Sequence, residues 1–275
     1  MKTCILTVIK NEHLYLDEWI RYHLDLGIDH IFIFEDVDSE SHKEITDNYK
    51  SQVTLAKIEY LFDTEELKRL DRYRITKEKN PHNVYLRRCL VYLSSSFSSI
   101  YDWCFVIDND EFLTLENSQD SLINIMQLYS NYDAVILQWK CYGASGLVKT
   151  PDYTQQGVVD TYTKELTGYV PANSAQSYTK TCYNLKTYKN EYFKYVHQPS
   201  DRCKFCRTNF ERDRLKPVYD KVYIRHYITR SWEEYVWKKK LRGFLWGGPT
   251  RALESFFIMN PDMNDMKEEL LQDAK

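Results

Sequence analysis

The sequence lacks several features that would assign it to common protein classes. No stretch approaches the roughly eighteen consecutive apolar residues that a transmembrane helix needs, and the apolar run at the start is too short for the core of a signal peptide. An excess of basic residues is also absent, since 37 Lys and Arg against 40 Asp and Glu give a formal net charge of −3. That balance does not favour nucleic acid, so any polyanionic ligand must be bound by a local group of charges.

Segments dense in cysteine are absent as well. The seven cysteines are an odd number spread over 275 residues, which is typical of proteins in reducing compartments. We therefore expect a cytoplasmic protein, with peripheral contact to the inner face of the membrane as an open alternative. The basic and aromatic segment 237–246 could touch anionic lipid headgroups, although charge runs are more often solvated. Cys203 and Cys206 form a single CxxC without a second pair to complete a zinc site, so we expect free thiols.

Alternating strand and helix patterns fill the first half of the sequence. Residues 3–9 form a β-branched, apolar run that predicts a buried parallel strand, and apolar residues recur at helical spacing over 12–26. Gly27 ends that helix, and a second strand is predicted at 29–34. Residues 61–80 are dense in charge and lack clear periodicity, so we expect an irregular connection there. The remaining predicted elements are a helix from Ser39 or Ser41 to residue 49, strands at 53–58, 103–107 and 134–139, and helices at 83–93, 118–128 and 232–241. Ser231 is the expected cap of the last helix, and Gly243 is its expected end.

This alternation predicts an α/β fold with a mostly parallel central sheet flanked by helices. After residue 145 the alternation gives way to a sequence rich in Tyr, Thr, Asn and Lys, which indicates a less regular C-terminal lobe on the same sheet. Glu18 and His23 lie well inside the first helix, and we expect both to make buried polar contacts rather than to bind a ligand.

Two acids, one position apart, follow the apolar run 103–107 in the string Asp108-Asn109-Asp110. Open α/β sheets bind their ligands at the carboxyl ends of strands, and carboxylates are hard oxygen ligands for divalent cations. Acids also close strands as turn residues and helix caps, so the motif alone is not specific. Its position predicts a divalent-metal site for a phosphate-bearing ligand. Asp110 is the expected direct ligand, and Asp108 is expected to contact ribose or to support the ligands.

Three strings of the sequence resemble glycosyltransferases of families 2 and 92. They are KNEHLYLDEWIRYH at 10–23 with LGIDHI at 26–31, the strings at 180–182 and 195–199, and HYITRSWEEY at 226–235 with 238–243. The resemblance covers most of residues 1–245 and implies the GT-A fold, a Rossmann-like α/β fold whose metal motif would be Asp108-Asn109-Asp110. It further implies a nucleotide-sugar-binding half at 1–115 and an acceptor-binding half with the C-terminal helices at 116–275, in one continuous domain.

The resemblance also implies how a metal ion would be bound. Mn²⁺ or Mg²⁺ would take oxygen from Asp108 or Asp110 and from a diphosphate, and Mn²⁺ accepts imidazole more readily. By similarity to inverting galactosyltransferases, His197 is the expected third ligand, and His226 is expected to contact phosphate or acceptor. The roles of the two histidines are open to exchange.

Five further residues are candidates for binding the nucleotide. Asp36 follows the second strand, where its carboxylate can accept a hydrogen bond from uracil or ribose. Asn11 and Glu12 lie at the first strand-to-helix junction, where their side chains either reach the nucleotide or cap the helix. Lys180 and Arg230 carry positive charges that could hold the diphosphate, with a surface role as the alternative.

An inverting transfer needs a carboxylate that deprotonates the acceptor hydroxyl. The candidates are Asp201, Glu165 and Glu233, with Asp201 first because it follows His197 on the same loop. A retaining reaction would not need this base.

Together these observations predict a metal-dependent, inverting, hexosyltransferase-like enzyme. Its expected donor is a nucleotide sugar, specifically a UDP-sugar, and its expected acceptor is a glycan or a lipid-linked glycan in surface polysaccharide synthesis. A nucleotidyltransferase would also bring two acids to a nucleotide, but it should show a Gly-rich, basic loop where this sequence has Lys10-Asn11-Glu12. A carbohydrate-binding protein without catalysis is the other alternative, because 15% of the residues are aromatic.

Overall fold

The strands of the protein are apolar and largely buried, and one sheet contains most of them. A computed structural model describes residues 1–76, 81–166, 179–212, 217–240 and 253–274. The strands are β1 (Thr3–Ile9), β2 (His30–Glu35), β3 (Val53–Lys57), β4 (Trp103–Val106), β5 (Glu111–Leu115), β6 (Ala134–Tyr142), β7 (Thr179–Asn184), β8 (Phe193–Tyr195), β9 (Gln198–Pro199), β10 (Phe205–Arg207) and β11 (Val222–Tyr227).

Among the described residues, nine strands form the central sheet in the order β3-β2-β1-β4-β7-β6-β11-β5, with β10 beside β6. β1 runs parallel to its neighbours β2 and β4, and β2 runs parallel to β3. β6 runs parallel to β10 and β11. β7 lies antiparallel between β4 and β6, and β5 lies antiparallel to β11. The sheet is therefore mostly parallel, which confirms the predicted α/β class, and strands from both halves of the sequence contribute to it.

Helices lie between the strands and after them. They are α1 (Leu16–Asp25), α2 (Lys43–Thr46), α3 (Thr64–Thr76), α4 (Pro81–Phe97), α5 (Leu122–Gln127), α6 (Val158–Thr161), α7 (Trp232–Lys240), α8 (Ser255–Met259) and α9 (Lys267–Asp273). Short 3₁₀ turns occur at Asp47–Tyr49, Ile58–Leu61, Asn190–Tyr192 and Pro261–Met266. In the described ranges, no helix combines the length and the apolar character that crossing a membrane requires.

The expectation of an irregular connection at 61–80 was wrong, because α3 occupies most of that segment. The helix begins with a reciprocal cap. The N–H of Glu66 donates to Asp63 Oδ1 at 2.8 Å, and the N–H of Asp63 donates to Glu66 Oε2 at 3.1 Å. This capping box satisfies two amide groups that the helix itself leaves unbonded. Glu66 also pairs with Arg88 of α4, which fixes α3 on its neighbour.

The first helix starts later than its apolar periodicity predicts, at Leu16 rather than residue 12. The N–H of Glu12 donates to His42 Nε2 at 2.9 Å, and the carboxylate of Glu12 accepts a hydrogen bond from Tyr15. These bonds tie the turn before α1 to the loop after β2. Gly27 ends the helix at a φ of +102°, a value that favours glycine, as predicted.

The predicted helix cap at Ser231 is confirmed. The N–H of Glu234 donates to Ser231 Oγ at 3.3 Å, and Ser231 Oγ donates to Glu234 Oε2 at 2.9 Å. The predicted end of this helix at Gly243 lies outside the described residues.

Apolar side chains cover both faces of the sheet. On one face, Trp19 and Ile20 of α1 join Ile5 of β1 in a buried cluster. On the other, Leu86 and Leu90 of α4 join residues from the same strands. A third cluster packs α7 against the C-terminal segment, and its members include Trp232, Tyr235, Phe256 and Phe257.

His23 makes the buried polar contacts that its position in the helix predicts, and those of Glu18 are partly buried. His23 Nδ1 donates to the Trp19 carbonyl at 2.8 Å, while His23 Nε2 accepts the Leu113 N–H at 3.1 Å. Glu18 accepts the N–H of Val158 at 2.7 Å at the start of α6. Both residues therefore join α1 to distant parts of the chain.

We expect His23 to make the protein less stable in acid. Burial lowers the pKa of His23 from 6.5 to about 3, so the folded protein keeps the ring neutral while the unfolded chain takes up a proton below pH 6.5. The contribution of neutral, buried His23 to the free energy of unfolding is complete above pH 6.5. It is lost as the pH falls towards 3, by up to about 1.4 kcal/mol per pH unit. Urea unfolding of wild type and His23→Leu should give a smaller dependence of stability on pH for the variant. Equal dependence in both proteins would contradict this account.

Candidate active site

The two aspartates of the acidic motif lie in the turn between β4 and β5. β1, β2 and β4 are parallel neighbours, so their carboxyl ends lie at one edge of the sheet, where Asp108 follows β4. The N–H of Asp108 donates to Glu111 Oε2 at 3.0 Å, and the N–H of Glu111 donates to the Asp108 carbonyl at 3.1 Å. The N–H of Tyr227 donates to the Asp110 carbonyl at 2.9 Å, which fastens the turn to β11.

Asp108 is paired with a buried lysine. Lys180 Nζ lies 2.7 Å from Asp108 Oδ2 and 3.6 Å from Glu111 Oε1, and its side chain is 1% exposed. His82 Nε2 lies 3.7 Å from the other oxygen of Asp108. Burial opposes ionisation of Asp108, but Lys180 and His82 outweigh it and hold the pKa of Asp108 well below its ordinary value. Asp108 is therefore a carboxylate whose charge is already offset by protein groups.

Asp110 is paired with a lysine that is more accessible. Lys238 Nζ lies 2.5 Å from Asp110 Oδ2, and its side chain is 19% exposed. His226 Nε2 lies 3.6 Å from Asp110 Oδ1. Burial opposes ionisation here too, but Lys238, His226 and Arg230 hold the pKa of Asp110 well below its ordinary value.

Asp110, Glu111 and His226 form a set that fits a metal ion. All three are buried, and one potential ligand atom from each lies within 4.8 Å of the others. Burial raises the pKa of Glu111 well above its ordinary value. A bound cation would act in the opposite direction, because it favours the charged carboxylate. Within the described residues, Glu111 Oε1 and His226 Nδ1 are buried without a hydrogen bond. Two carboxylate oxygens and an imidazole nitrogen suit Mn²⁺.

The rings of the two candidate histidines both lie close to that of Trp139. The ring of Trp139 is 4.2 Å from the ring of His226 and 5.0 Å from that of His197, measured between centroids. His197 Nδ1 bonds the Thr179 carbonyl at 2.8 Å, and burial and Lys180 lower the pKa of His197 to about 4. Of the two, His226 is the one that the structure groups with Asp110.

Arg230 is fixed beside the acids by contacts on several sides. Its guanidinium lies 3.9 Å from the ring centre of Tyr15, and its Nε lies 3.3 Å from Glu234 Oε1. Glu234 Oε2 in turn accepts hydrogen bonds from Tyr153 at 2.8 Å and Tyr162 at 2.7 Å. The side chain of Arg230 is 2% exposed, and its Nη1 has no hydrogen bond within the described part of the chain. A buried guanidinium with an uncommitted donor is suited to bind an anion.

Of the three candidates at the ends of β1 and β2, Asn11 and Glu12 join one loop to another, and Asp36 bonds within its own loop. Asn11 has a φ of +52°, accepts the Glu40 N–H on its Oδ1 at 2.8 Å, and donates its own N–H to Ser39. Asp36 is buried and accepts the Val37 N–H at 2.9 Å. Glu12 bonds Tyr15, as described above. The helix-capping alternative for Asn11 and Glu12 is not what the structure has, because α1 starts at Leu16 without a side-chain cap.

A cleft of about 620 Å³ opens beside these loops. One side is formed by the loops after β1 and β2, and the other by α7 and the segment before α6. The lining residues are Asn11, His13, Leu14, Glu40, Thr150, Glu233, Glu234 and Trp237. Since Glu234 also pairs with Arg230, the cleft adjoins the charged group around Asp110.

The three candidate bases lie apart from one another. Glu165 pairs with Lys140 at 3.0 Å, and Asp201 is exposed in the turn after β9. Glu233 pairs with Lys149 at 3.2 Å and accepts the Thr150 N–H at 2.8 Å. Of the three, Glu233 is the one that lines the cleft.

Sequence reasoning missed three residues of this site. Glu111 directly follows the motif, so its position was a usable signal. Lys238 belongs to the basic and aromatic segment that was interpreted as solvated or facing lipid, yet its ammonium lies against Asp110. His82 lies in the first turn of α4, far from the motif in sequence, and no local pattern indicates its place beside Asp108.

Comparison with protein families gives a match along most of the chain. The model of glycosyltransferase family 92 matches residues 1–255. A glycosyltransferase family 92 protein of Ricinus communis is 26% identical over 163 residues, which cover 58% of this chain and 26% of the relative. A family 92 protein of Oryza sativa subsp. japonica is 25% identical over 166 residues, which cover 59% and 24%. The chain thus spans about a quarter of the length of the curated relatives that it matches.

Similarity to solved structures is low. Glucosyl-3-phosphoglycerate synthase from Mycobacterium tuberculosis, in complex with Mn²⁺, UDP and phosphoglyceric acid, matches with a TM-score of 0.33 and 12% identity, over 67% of this chain and 56% of that one. HddC from Yersinia pseudotuberculosis matches with a TM-score of 0.31 and 10% identity, over 54% and 62%.

We expect Lys180 to stabilise the acidic turn. In Lys180→Met the methylene stem remains, but buried Glu111 and its neighbour Asp108 lose their cation. Removing one partner of a buried pair costs about 3 kcal/mol or more, so the free energy of unfolding measured in urea should fall by that amount. The matched control is Lys186→Met, which removes a more exposed partner of Asp102 and should cost less than about 1 kcal/mol. Equal losses would argue against a special role for Lys180.

Proposed function

The chain belongs to glycosyltransferase family 92, and on this basis we propose that it transfers a sugar from a nucleotide sugar with the help of a divalent cation. The observation that carries the proposal is the buried group of Asp110, Glu111 and His226 at the carboxyl edge of the parallel strands. This edge is where α/β sheets bind their ligands. Family membership also disfavours the nucleotidyltransferase alternative.

We propose Asp110, Glu111 and His226 as the metal ligands. This assignment exchanges the roles of the two histidines, because His226 faces Asp110 while His197 bonds a backbone carbonyl. The imidazole favours Mn²⁺, with Mg²⁺ as the alternative ion. Asp108 remains paired with Lys180 and is available at its exposed side, 36% of the side chain, for contact with ribose.

The reaction needs positive charge where the nucleoside diphosphate departs. When bound, the cation would supply much of this charge without any proton transfer. Arg230 would supply more, because Tyr15 and Glu234 already hold its guanidinium in place beside Asp110. A donor group fixed before the reaction stabilises developing charge without a cost of rearrangement.

The cleft is the proposed place of the donor, a UDP-sugar. Asn11 lines it, and Asp36 lies at the neighbouring end of β2, where a carboxylate can accept a hydrogen bond from uracil or ribose. The acceptor would approach from the half formed by residues 116–275. We propose a glycan or lipid-linked glycan of surface polysaccharide synthesis. All seven cysteines, including Cys203 and Cys206, are free thiols, which supports a reducing, cytoplasmic location.

Metal-dependent binding of the nucleotide tests this proposal. Calorimetry with UDP and other nucleoside diphosphates, with and without Mn²⁺, should show that Mn²⁺ strengthens binding of UDP to wild type. Loss of even a supporting residue costs 10- to 100-fold in metal affinity, so Asp110→Ala should weaken the Mn²⁺-dependent binding by at least about 10-fold. The exposed Asp120→Ala is the matched control and should bind as wild type does. Equal UDP binding by wild type and Asp110→Ala, with and without Mn²⁺, would remove the metal assignment.

The position of Glu233 in the cleft leads to a second prediction. We propose an inverting reaction with Glu233 as the base, since Asp201 and Glu165 do not line the cleft. Glu233→Gln should then slow transfer from UDP-sugars by about 10²- to 10⁴-fold with little change in UDP binding. Asp201→Asn and Glu165→Gln should retain activity. NMR spectroscopy of the product anomer is the second measurement, and retention of configuration would contradict the assignment.

The carbohydrate-binding alternative predicts a different outcome. A protein without catalysis would bind glycans but would neither transfer nor hydrolyse any UDP-sugar. Turnover of one donor from a panel of UDP-sugars therefore separates the two functions.

A further inference from the structure

We propose that Lys238 is an internal substitute for the metal ion: its ammonium neutralises Asp110 until the cation and the diphosphate bind, and is then displaced towards the diphosphate. The inference rests on the proposed function, because it concerns the same metal site. It gives a binding role to a lysine of α7 that no motif indicates.

A bound metal ion and the ammonium of Lys238 would both use the carboxylate of Asp110. Lys238 Nζ lies 2.5 Å from one oxygen of Asp110, and His226 Nε2 lies 3.6 Å from the other. A metal ion held by Asp110, Glu111 and His226 must therefore share the carboxylate of Asp110 with the ammonium. Two cations at such separations repel each other strongly, and burial of the site increases the repulsion. Binding of the metal therefore favours displacement of Lys238 from its present position.

Among the described residues, three long cationic side chains stabilise the charge of Asp108 or Asp110, namely Lys180, Arg230 and Lys238. They differ in how firmly they are fixed. Lys180 is 1% exposed and bridges Asp108 and Glu111, while Arg230 is held by Tyr15 and Glu234. Lys238 is 19% exposed, and its ion pair is with Asp110 alone among the described residues. A lysine stem has four rotatable carbons, so Lys238 can leave without any change in the backbone.

The direction in which Lys238 can move follows from its neighbours on α7. Trp237 and Glu234 line the cleft proposed for the donor, so rotation of the Lys238 stem can carry the ammonium towards that side. A diphosphate in the cleft would offer the ammonium new oxygen partners in place of Asp110. Lys238 would then exchange one anion for another and would not be left unpaired.

This exchange couples the two ligands. Metal alone must displace Lys238 from Asp110 and leave its ammonium without an anion, so it should bind weakly. Metal with nucleotide gives the ammonium a phosphate partner, so each ligand should strengthen binding of the other, and by the same factor. The chain would thereby favour loading of the cation together with the nucleotide.

Manganese binding without turnover is the test. Electron paramagnetic resonance of free Mn²⁺ measures the dissociation constant with and without UDP. In wild type, UDP should tighten Mn²⁺ binding by about 5- to 150-fold, the usual range of such coupling. In Lys238→Met, Mn²⁺ alone should bind at least about 10-fold more tightly than in wild type, because a competing cation is gone, and the effect of UDP should shrink.

Two further variants serve as controls. Lys239→Met removes the neighbouring lysine, whose ammonium lies 5.1 Å from the ring centre of Tyr235, and should behave as wild type does. Lys238→Arg keeps the charge and should retain weak binding of Mn²⁺ alone. Circular dichroism establishes that each variant is folded, and Lys238→Gln replaces Lys238→Met if the latter is not.

The outcomes separate this inference from the proposed function. If wild type and Lys238→Met bind Mn²⁺ alone with equal affinity, and UDP strengthens both equally, the inference is refuted while the metal site stands. If neither protein binds Mn²⁺ even with UDP, the proposed function fails and the inference fails with it.

Discussion

Charge balance at the turn from Asp108 to Glu111 is the constraint on which the rest of the structure depends. Three acids lie within four residues at the edge of a sheet, and burial makes unpaired charge there expensive. The groups that offset it come from β7, β11 and α7, all distant in sequence. The order of the strands brings two of these groups to the turn, since β7 lies next to β4 and β11 next to β5.

A second layer of polar contacts supports this charged turn. Tyr15 of the first strand-to-helix connection lies under Arg230, Arg230 pairs with Glu234, and Tyr153 and Tyr162 bond Glu234. Each contact fixes the next, so a guanidinium is held in a buried position beside Asp110. The loops around the cleft of Asn11 and Glu234 and the start of α7 are thereby joined in one network, which forms without any ligand.

The features predicted correctly from sequence are those that local residues determine. Apolar runs identified the strands, Gly27 the end of α1, and Ser231 the start of α7. The helix α3 was missed because the Asp63 and Glu66 cap lies within a charge-rich segment without clear periodicity. Lys180 and His226 were candidates, but their pairing with the acids could not be predicted, since it depends on β7 lying beside β4 and on β11 pairing with β5, which places His226 opposite Glu111. A lysine of a basic segment gives no sign in sequence that it faces an aspartate.

The antiparallel course of β7 has a consequence for how the protein can be divided. Because β7 runs against β4, its first residues lie beside the last residues of β4, with Thr181 opposite Val106. Lys180 therefore reaches Asp108 from a strand that is synthesised more than sixty residues later. A fragment that stopped after β5 would expose an uncompensated acidic loop and an unpaired strand edge. Residues 1–115 therefore lack the cation that offsets Asp108 until β7 is present.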